Sequence, residues 1–411
     1  MKTDLDAILR ENDLDGMLVV GSGMHNPPMV YLTGIAHLTG ADLIWKTGEG
    51  GTLFHGPMER DEAARSGLRL RSYSLYPLGE LLKEAEGDMT RAMALRYEKM
   101  FKECDLTQGR VVILGKSDAG YALDVFRSVH DLLPDLHLVG DVNNRVMQKA
   151  MATKDASEVE RIRQVGRVTT EVVGRTAEFL SSQKVKDQIL VTGNGETVTI
   201  GMVKRKINLW LAELGVENPE GTIFAIGRDA GVPHSSGTPG DVLRQGQTIV
   251  YDIFPCEAGG GYYYDMTRTW CLGYVPDDVQ KLYDEVREVY EKIVGQLRVG
   301  ELLRTYHEKV CDYFEAVGHP TIRTDPSTER GYVHSLGHGV GLYIHERPMS
   351  GITATAEDVL QTGSVFTIEP GLYYPDRNMG VRLEDTFCVT EHGNIEPLAE
   401  YPHDLLIPVK G

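Results

Sequence analysis

The chain has 411 residues, of which 41% are hydrophobic and 25% charged, and its formal net charge is −18. That length suits two domains, not one core, and the composition is that of a soluble globular chain, not a disordered or collagenous one. The acidic balance excludes a binder of nucleic-acid backbones and disfavours anionic lipid surfaces.

The opening stretch, M-K-T-D-L-D-A-I-L-R-E-N-D-L-D-G, alternates charged with apolar residues, so no signal peptide is expected in it. No apolar run has the length of a membrane span. The five cysteines, Cys104, Cys256, Cys271, Cys311 and Cys388, are scattered and form no C-x-x-C pair. They read as free thiols in a reducing compartment, and a cytoplasmic location is expected.

Six short apolar runs follow one another in the first third: D-G-M-L-V-V-G, A-D-L-I-W, G-T-L-F-H, L-R-S-Y-S-L, R-V-V-I-L-G and L-H-L-V-G. Separated by helix-length segments, they predict an α/β layer domain over residues 1–150. At the boundary, Asp155 and Glu158 have the spacing of an N-cap and its capping-box partner, which opens a long helix. Residues 151–411 then read as an α+β domain. Its clearest helix carries Val279, Leu282, Val286, Val289, Ile293 and Leu297 at steps of three and four, one apolar stripe.

Between the helices lie two hairpins. In Y-D-I-F-P-C-E-A-G-G-G-Y-Y-Y-D-M-T-R-T, a turn centred between Ala258 and Gly259 pairs Asp252 with Asp265 across the strands. Their Cβ atoms are then expected about 4.5–5.5 Å apart on one face. In T-I-E-P-G-L-Y-Y-P-D-R-N-M-G-V-R-L-E-D-T, a turn centred between Asp376 and Arg377 pairs Glu369 with Glu384. A lone aspartate on a strand is ordinarily a solvent-facing residue. Facing carboxylates destabilise a sheet unless cations lie between them, and two hairpins built alike point to one shared site.

Histidines are added by H-S-L-G-H-G-V-G-L-Y-I-H-E, which contains His334, His338 and His345 among glycines that permit close backbone approach. Spacing alone does not choose a ligand among the three. Four carboxylates and an imidazole are too oxygen-rich for structural zinc. Their charge is balanced by two divalent ions, and one histidine among oxygens favours Mn²⁺, Co²⁺, Fe²⁺ or Zn²⁺ over Mg²⁺.

The ordered motifs D-x12-D-M-T-R-T, H-S-L-G-H-G-V-G-L-x-x-H-E-x-P, T-I-E-P-G-L-Y and R-L-E-D-T resemble those of the M24 metallopeptidases. V-Y-L-T-G-I, at Val30 to Ile35, is similar to a segment of the creatinase-like N-terminal domain in that family's proline-specific members. The resemblance spans the chain and implies a pita-bread catalytic domain of α+β class behind a creatinase-like α/β domain. It implies two metal ions, Mn²⁺ or Co²⁺ ahead of Zn²⁺ or Fe²⁺. Asp252 would hold one, Asp265 and Glu384 both, and His338 and Glu369 the other, with Glu369 also shuttling protons. His234, in G-V-P-H-S-S-G, and His345 would meet the substrate; His334, Thr267 and Arg382 would support substrate and ligands. The implied activity is hydrolysis of an N-terminal Xaa-Pro bond by a hydroxide held between the ions, in a homodimer formed through the N-terminal domain. The loop between the two aspartates is about two residues longer than the family pattern, which bears on the rim of the site. Alternatives on the same fold are a hydrolase or lyase of a small amide-like metabolite, or a metal-free or non-catalytic member.

Overall fold

The computed structural model describes residues 4–410; the outermost ends of the two expected domains, residues 1–3 and 411, lie outside them. The chain divides into two compact units, one running to Met151 and including Gly259–Gly261, the other made of Ala152–Ala258 and Tyr262 onwards. No helix among the described residues is long and apolar enough to cross a membrane.

The first unit is built on a six-stranded sheet. Gly16–Gly21 lies at its middle, antiparallel to Ala41–Lys46 on one side and parallel to Gly109–Gly115 on the other. Gly50–His55 with Arg69–Ser72, and Leu136–Gly140, complete the two flanks. All six runs read from the sequence contain strand. The fourth is shorter than its apolar pattern, because Tyr73–Leu75 turns into a 3-10 helix capped by the Ser72 side chain. The helix Pro27–Thr33 follows the first strand and ends at Gly34, whose φ of 74° suits glycine.

The second unit opens with the helix Ala156–Ser182. Asp155 accepts from the backbone N–H groups of Ser157 and Glu158, and the Glu158 side chain returns to the Asp155 backbone, a complete capping box. The helix Asp277–Val294 buries Val279, Leu282, Val286, Val289 and Ile293 as its periodicity predicts. Leu297 is buried but lies beyond the helix end, in the following turn. With Leu303–Ala316, this helix covers one side of a core containing Phe314, Phe366, Leu372 and Val381.

Two sheets meet at the centre of this unit. In the four-stranded sheet, Thr222–Ile226, Thr248–Ile253 and Met266–Leu272 lie side by side and antiparallel. In the five-stranded sheet, Val365–Ile368 pairs with Asp385–Val389. Gly371–Tyr374 and Met379–Arg382 form a hairpin in the same register. An antiparallel bridge between Thr267 and Glu384 joins the two sheets. The strands Thr248–Ile253 and Met266–Leu272 are buried along their whole length. Carboxylates on such strands need compensation.

Candidate metal centre

The first hairpin corrects the expected register. Asp252 stands opposite Thr267, not Asp265. Cys256 bridges to Tyr263 and the Glu257 N–H donates to the Tyr262 carbonyl, so the corner falls one residue later than expected. Gly259 and Gly260 take it with φ values of 89° and 77°, a conformation that Ala258 would adopt only with strain. The pairing is thereby shifted by two residues, one full side-chain period. Asp265 therefore keeps the face of Asp252 but sits diagonally from it.

The second hairpin has the expected register. Gly371 pairs with Arg382, and Ile368 pairs with Asp385 in the adjoining sheet. Glu369 and Glu384 lie at the break between these two ladders. A row thus crosses the joined sheets from Ile223 through Asp252 and Thr267 to Glu384.

Asp252, Asp265, His338, Glu369 and Glu384 all line one cavity of about 710 Å³ in the second unit, together with His234, His334, His345 and Arg382. Among the described residues, Asp265, His338 and Glu384 offer ligand atoms that lie within 4.8 Å of one another. His338 Nε2 is 3.6 Å from Asp265 Oδ2 and 3.5 Å from Glu369 Oε1. His338 Nδ1 lies 3.0 Å from the Gly339 carbonyl, which can only accept, so Nδ1 carries the proton and Nε2 presents its lone pair to the carboxylates. Its backbone N–H donates to Thr367 Oγ1, fixing the residue to the neighbouring strand.

Electrostatics give the group its chemistry. Burial, then the charges of Glu384 and Asp252, pushes the Asp265 carboxyl well above the usual carboxylate range. Burial and Glu384 do the same to Glu369. Burial and Asp252 raise Glu384 from its ordinary 4.5 to about 8. Burial is also the leading cause that lowers His334 and His338 to about 3, so both rings are neutral at neutral pH. Asp252 Oδ1, Asp265 Oδ1 and Glu384 Oε1 are buried without a hydrogen-bond partner. Such groups cost free energy unless something supplies positive charge. Oxygen donors plus one neutral imidazole suit a divalent cation, and this set of residues fits the metal ions that the resemblance implies.

The remaining expected residues surround this cluster. Arg382 Nη2 donates to Asp252 Oδ2 at 2.6 Å, and Arg382 Nε donates to Thr267 Oγ1 at 3.0 Å. Thr267 Oγ1 donates in turn to Glu384 Oε2 at 2.7 Å. Thr267 is not among the residues that line the cavity and touches Glu384 instead. His234 and His345 are exposed on the wall, and the His345 ring packs on His338 with centroids 4.2 Å apart. His334 Nδ1 donates to the Ser335 carbonyl at 2.7 Å and Nε2 accepts from Tyr373 at 2.8 Å.

Tyr373 was not read from the sequence. Its hydroxyl also accepts from Arg382 Nη1 at 2.8 Å, linking the Asp252 side of the cluster to His334. The signal was there in strand parity: Glu369, Gly371 and Tyr373 share a face. Gly371 is needed because a Cβ on it would meet the Tyr373 hydroxyl at 2.5 Å. Arg268 was also missed as a support. From the other face it donates to the carbonyls of Thr267 and Glu384, at 2.9 and 2.8 Å, and to Asp385 Oδ1 at 2.7 Å.

The profile of metallopeptidase family M24 matches residues 160–391. A probable dipeptidase PepE of Mycobacterium tuberculosis is 28% identical over 292 residues, 69% of this chain and 70% of that protein. An Xaa-Pro dipeptidase of Pyrococcus horikoshii is 25% identical over 385 residues, 93% and 92% of the two chains. Among solved structures, an Xaa-Pro dipeptidase from Bacillus anthracis superposes with a TM-score of 0.74 at 20% identity, covering 99% of each chain. The prolidase from Pyrococcus furiosus gives 0.73 at 21% identity over 97% of this chain and 99% of its own. These likenesses establish the fold as the pita-bread arrangement with its creatinase-like N-terminal part. With the family profile matched over more than half its length, the chain belongs to metallopeptidase family M24.

Proposed function

We infer that the protein is a dinuclear metal-dependent peptidase that hydrolyses the N-terminal Xaa-Pro bond of peptides. The observation that carries the reading is the set of three buried carboxylate oxygens without partners, converging with the Nε2 lone pair of His338 on one cavity. The preference for proline rests on the relatives, whose Xaa-Pro dipeptidase from Pyrococcus horikoshii aligns with almost the whole chain.

Asp252, Asp265, His338, Glu369 and Glu384 are the proposed ligands, with Asp265 and Glu384 shared. Two divalent ions, Mn²⁺ or Co²⁺ in first place, would supply Lewis-acid polarisation of the scissile carbonyl and a hydroxide nucleophile at neutral pH. Arg382 and Thr267 orient the Asp252 and Glu384 carboxylates. Glu369, whose carboxyl is raised by burial, is placed to take up a proton and return it to the leaving nitrogen. His234 and His345, exposed on the wall, donate to the substrate carbonyl. The homodimer is part of this proposal and is read by light scattering. So is a reducing, cytoplasmic setting, in which the five buried cysteines remain thiols.

The test is release of free amino acid from Leu-Pro, Leu-Ala and Leu-Pro-Leu by protein loaded with Mn²⁺ or Co²⁺ and by the same protein after chelation. Metal-dependent cleavage of the proline peptides alone is the expected result. Cleavage of Leu-Ala at the rate of Leu-Pro, or rates that survive chelation, would overturn the proposal.

A further inference from the structure

Lys204 interrupts an apolar helix face at the wall of the catalytic cavity. The helix Ile200–Glu213, capped by Thr199, buries Ile200, Val203, Ile207 and Leu211. At steps of four, three and four, positions 200, 204, 207 and 211 form one stripe, and a lysine holds the second place in it. Its neighbour Lys206 is used differently, its ammonium lying 4.6 Å from the centre of the Phe179 ring.

The Lys204 ammonium has no ion-pair or hydrogen-bond partner among the described residues, although it lines a cavity that contains five carboxylates. Arg382, the other cation of that wall, is committed to Asp252 at 2.6 Å. Glu220 lines the same cavity and makes no ion pair with Lys204. Burial alone holds the Lys204 amine below its ordinary 10.5, with no acidic side chain acting on it. A partly buried ammonium without a partner is unfavourable, and in a chain of net charge −18 acidic partners are plentiful. Ile223, on the same wall, is the cross-strand partner of Asp252 and starts the row that runs to Glu384. Because the helix Ile200–Glu213 packs against the strand Thr222–Ile226, Lys204 lines the cavity from the Asp252 side of that row.

We propose that Lys204 is a specificity residue that binds a carboxylate of the peptide substrate. The carboxylate is either the side chain of an acidic Xaa residue or the free C-terminus of a dipeptide; both present the same anion to the same ammonium. The proposal rests on the Xaa-Pro reading above and names the substrate class within it.

The experiment compares kcat/KM for Glu-Pro against Gln-Pro, and for Leu-Pro against Leu-prolinamide, in metal-loaded wild type, Lys204→Met and Lys204→Arg. Each ratio is internal to one preparation, so partial folding of a variant does not move it. A charge-assisted hydrogen bond is worth about 10- to 100-fold in binding. Wild type is expected to favour the acidic member of one pair by that factor, mainly through KM. The first pair identifies a side-chain carboxylate and the second a terminal one. Lys204→Met should abolish the preference and Lys204→Arg retain part of it. Both ratios unchanged in Lys204→Met would overturn the proposal and show a lysine that merely extends along the wall. If wild type cleaves none of the four peptides, the Xaa-Pro reading fails. Lys204 is then judged by calorimetric titration of the metal-loaded protein with glutarate. Binding at least tenfold weaker in Lys204→Met supports the carboxylate site, and equal affinity refutes it.

Discussion

Arg382 Nη2 lies 2.6 Å from Asp252 Oδ2, while the other oxygen of that carboxylate, Oδ1, is buried without a hydrogen-bond partner. One oxygen is thus held by the protein, and the other is the one proposed to meet a cation. Arg382 stands opposite Gly371 at the end of its hairpin, next to the Tyr373 hydroxyl that a side chain at 371 would displace. Its Nε continues to Thr267 and its Nη1 to Tyr373, so a single planar group orients three partners.

Replacing Arg382 by Met should leave Asp252 without its orienting donor. The expected result is a 10- to 100-fold loss of metal affinity, the usual scale for removing a group that orients a ligand. Lysine cannot reproduce the fork, so Arg382→Lys should restore little. Metal affinity measured by competition with a chelator checks this, and wild-type affinity in Arg382→Met would refute the role.

Tyr373→Phe removes only the hydroxyl that joins Arg382 to His334. The ring remains, so the fold and both ions should be retained. The His334 imidazole, losing its donor at Nε2, should become free to reorient, and kcat should fall by about 10- to 100-fold at unchanged metal content. Elemental analysis beside steady-state kinetics separates this from loss of metal.

The raised carboxyls make the metal-free fold sensitive to pH. Below the ordinary carboxylate range, Glu384 is protonated whether the chain is folded or unfolded, and its neutral form suits the buried site. Above about 4.5 the unfolded chain releases the proton while the folded chain holds it until about 8. Stability from this group is therefore present at low pH and lost as pH rises across that window. Asp265 and Glu369, raised in the same direction, act in the same sense. Chelated protein should lose Tm between pH 5 and 8 relative to a Glu384→Gln variant treated alike. Added Mn²⁺ should raise wild-type Tm more at pH 8 than at pH 5. A stabilisation by Mn²⁺ independent of pH would contradict this.

Much of the architecture was legible because it follows side-chain periodicity. The strands of the first unit, the capping box at Asp155 and the stripe from Val279 to Ile293 are local patterns, and local patterns survive packing. The register of the second hairpin was legible because the turn-forming residues sit at the midpoint of the run: Pro375–Arg377 make a single turn and Asn378 takes the positive φ, 54°, that closes it. The first hairpin was misread by one residue at the corner because two consecutive glycines, not the midpoint of the run, decide where positive φ is affordable. Tyr373, Arg268 and Lys204 escaped because their roles depend on segments brought together from far along the chain. Tyr373 meets His334 across 39 positions and Arg268 meets Asp385 across 117. Nothing in G-M-V-K-R-K-I-N by itself says which of its three cations faces a cavity.

Lys154 and Glu346 form a fully buried ion pair, and Glu346 directly follows His345. The Glu346 carboxylate also accepts from the Tyr343 N–H at 3.3 Å, so it ties the His345 loop to the start of the second unit. Lys154→Met leaves an uncompensated buried carboxylate and should destabilise that unit by about 3–5 kcal/mol. Adding Glu346→Gln should recover part of the loss, because no charge then remains to be paired. Urea denaturation of the two variants measures this, and equal stability of Lys154→Met and wild type would remove the pair from the account.

The last prediction concerns Asp265 and Glu384, the carboxylates proposed to serve both ions. Each has a buried oxygen without a partner, and the Glu384 charge raises the carboxyls of both Asp265 and Glu369. Asp265→Asn and Glu384→Gln keep the shape while removing one negative charge, and each presents an NH₂ donor that cannot ligate a cation. Three carboxylates then face two divalent ions, so at least one ion should be held much more weakly. Removing a ligand that serves one ion, as in Asp252→Asn, should leave the other in place. The expected order is therefore stoichiometry near one or below for Asp265→Asn and Glu384→Gln, with turnover falling in step with occupancy. Metal content by elemental analysis and kcat on Leu-Pro, measured on the same preparations, decide it. Two tightly bound ions with near-normal turnover in either variant would overturn the shared-ligand assignment. The partnerless oxygens at Asp265 and Glu384 would then need a different source of compensation.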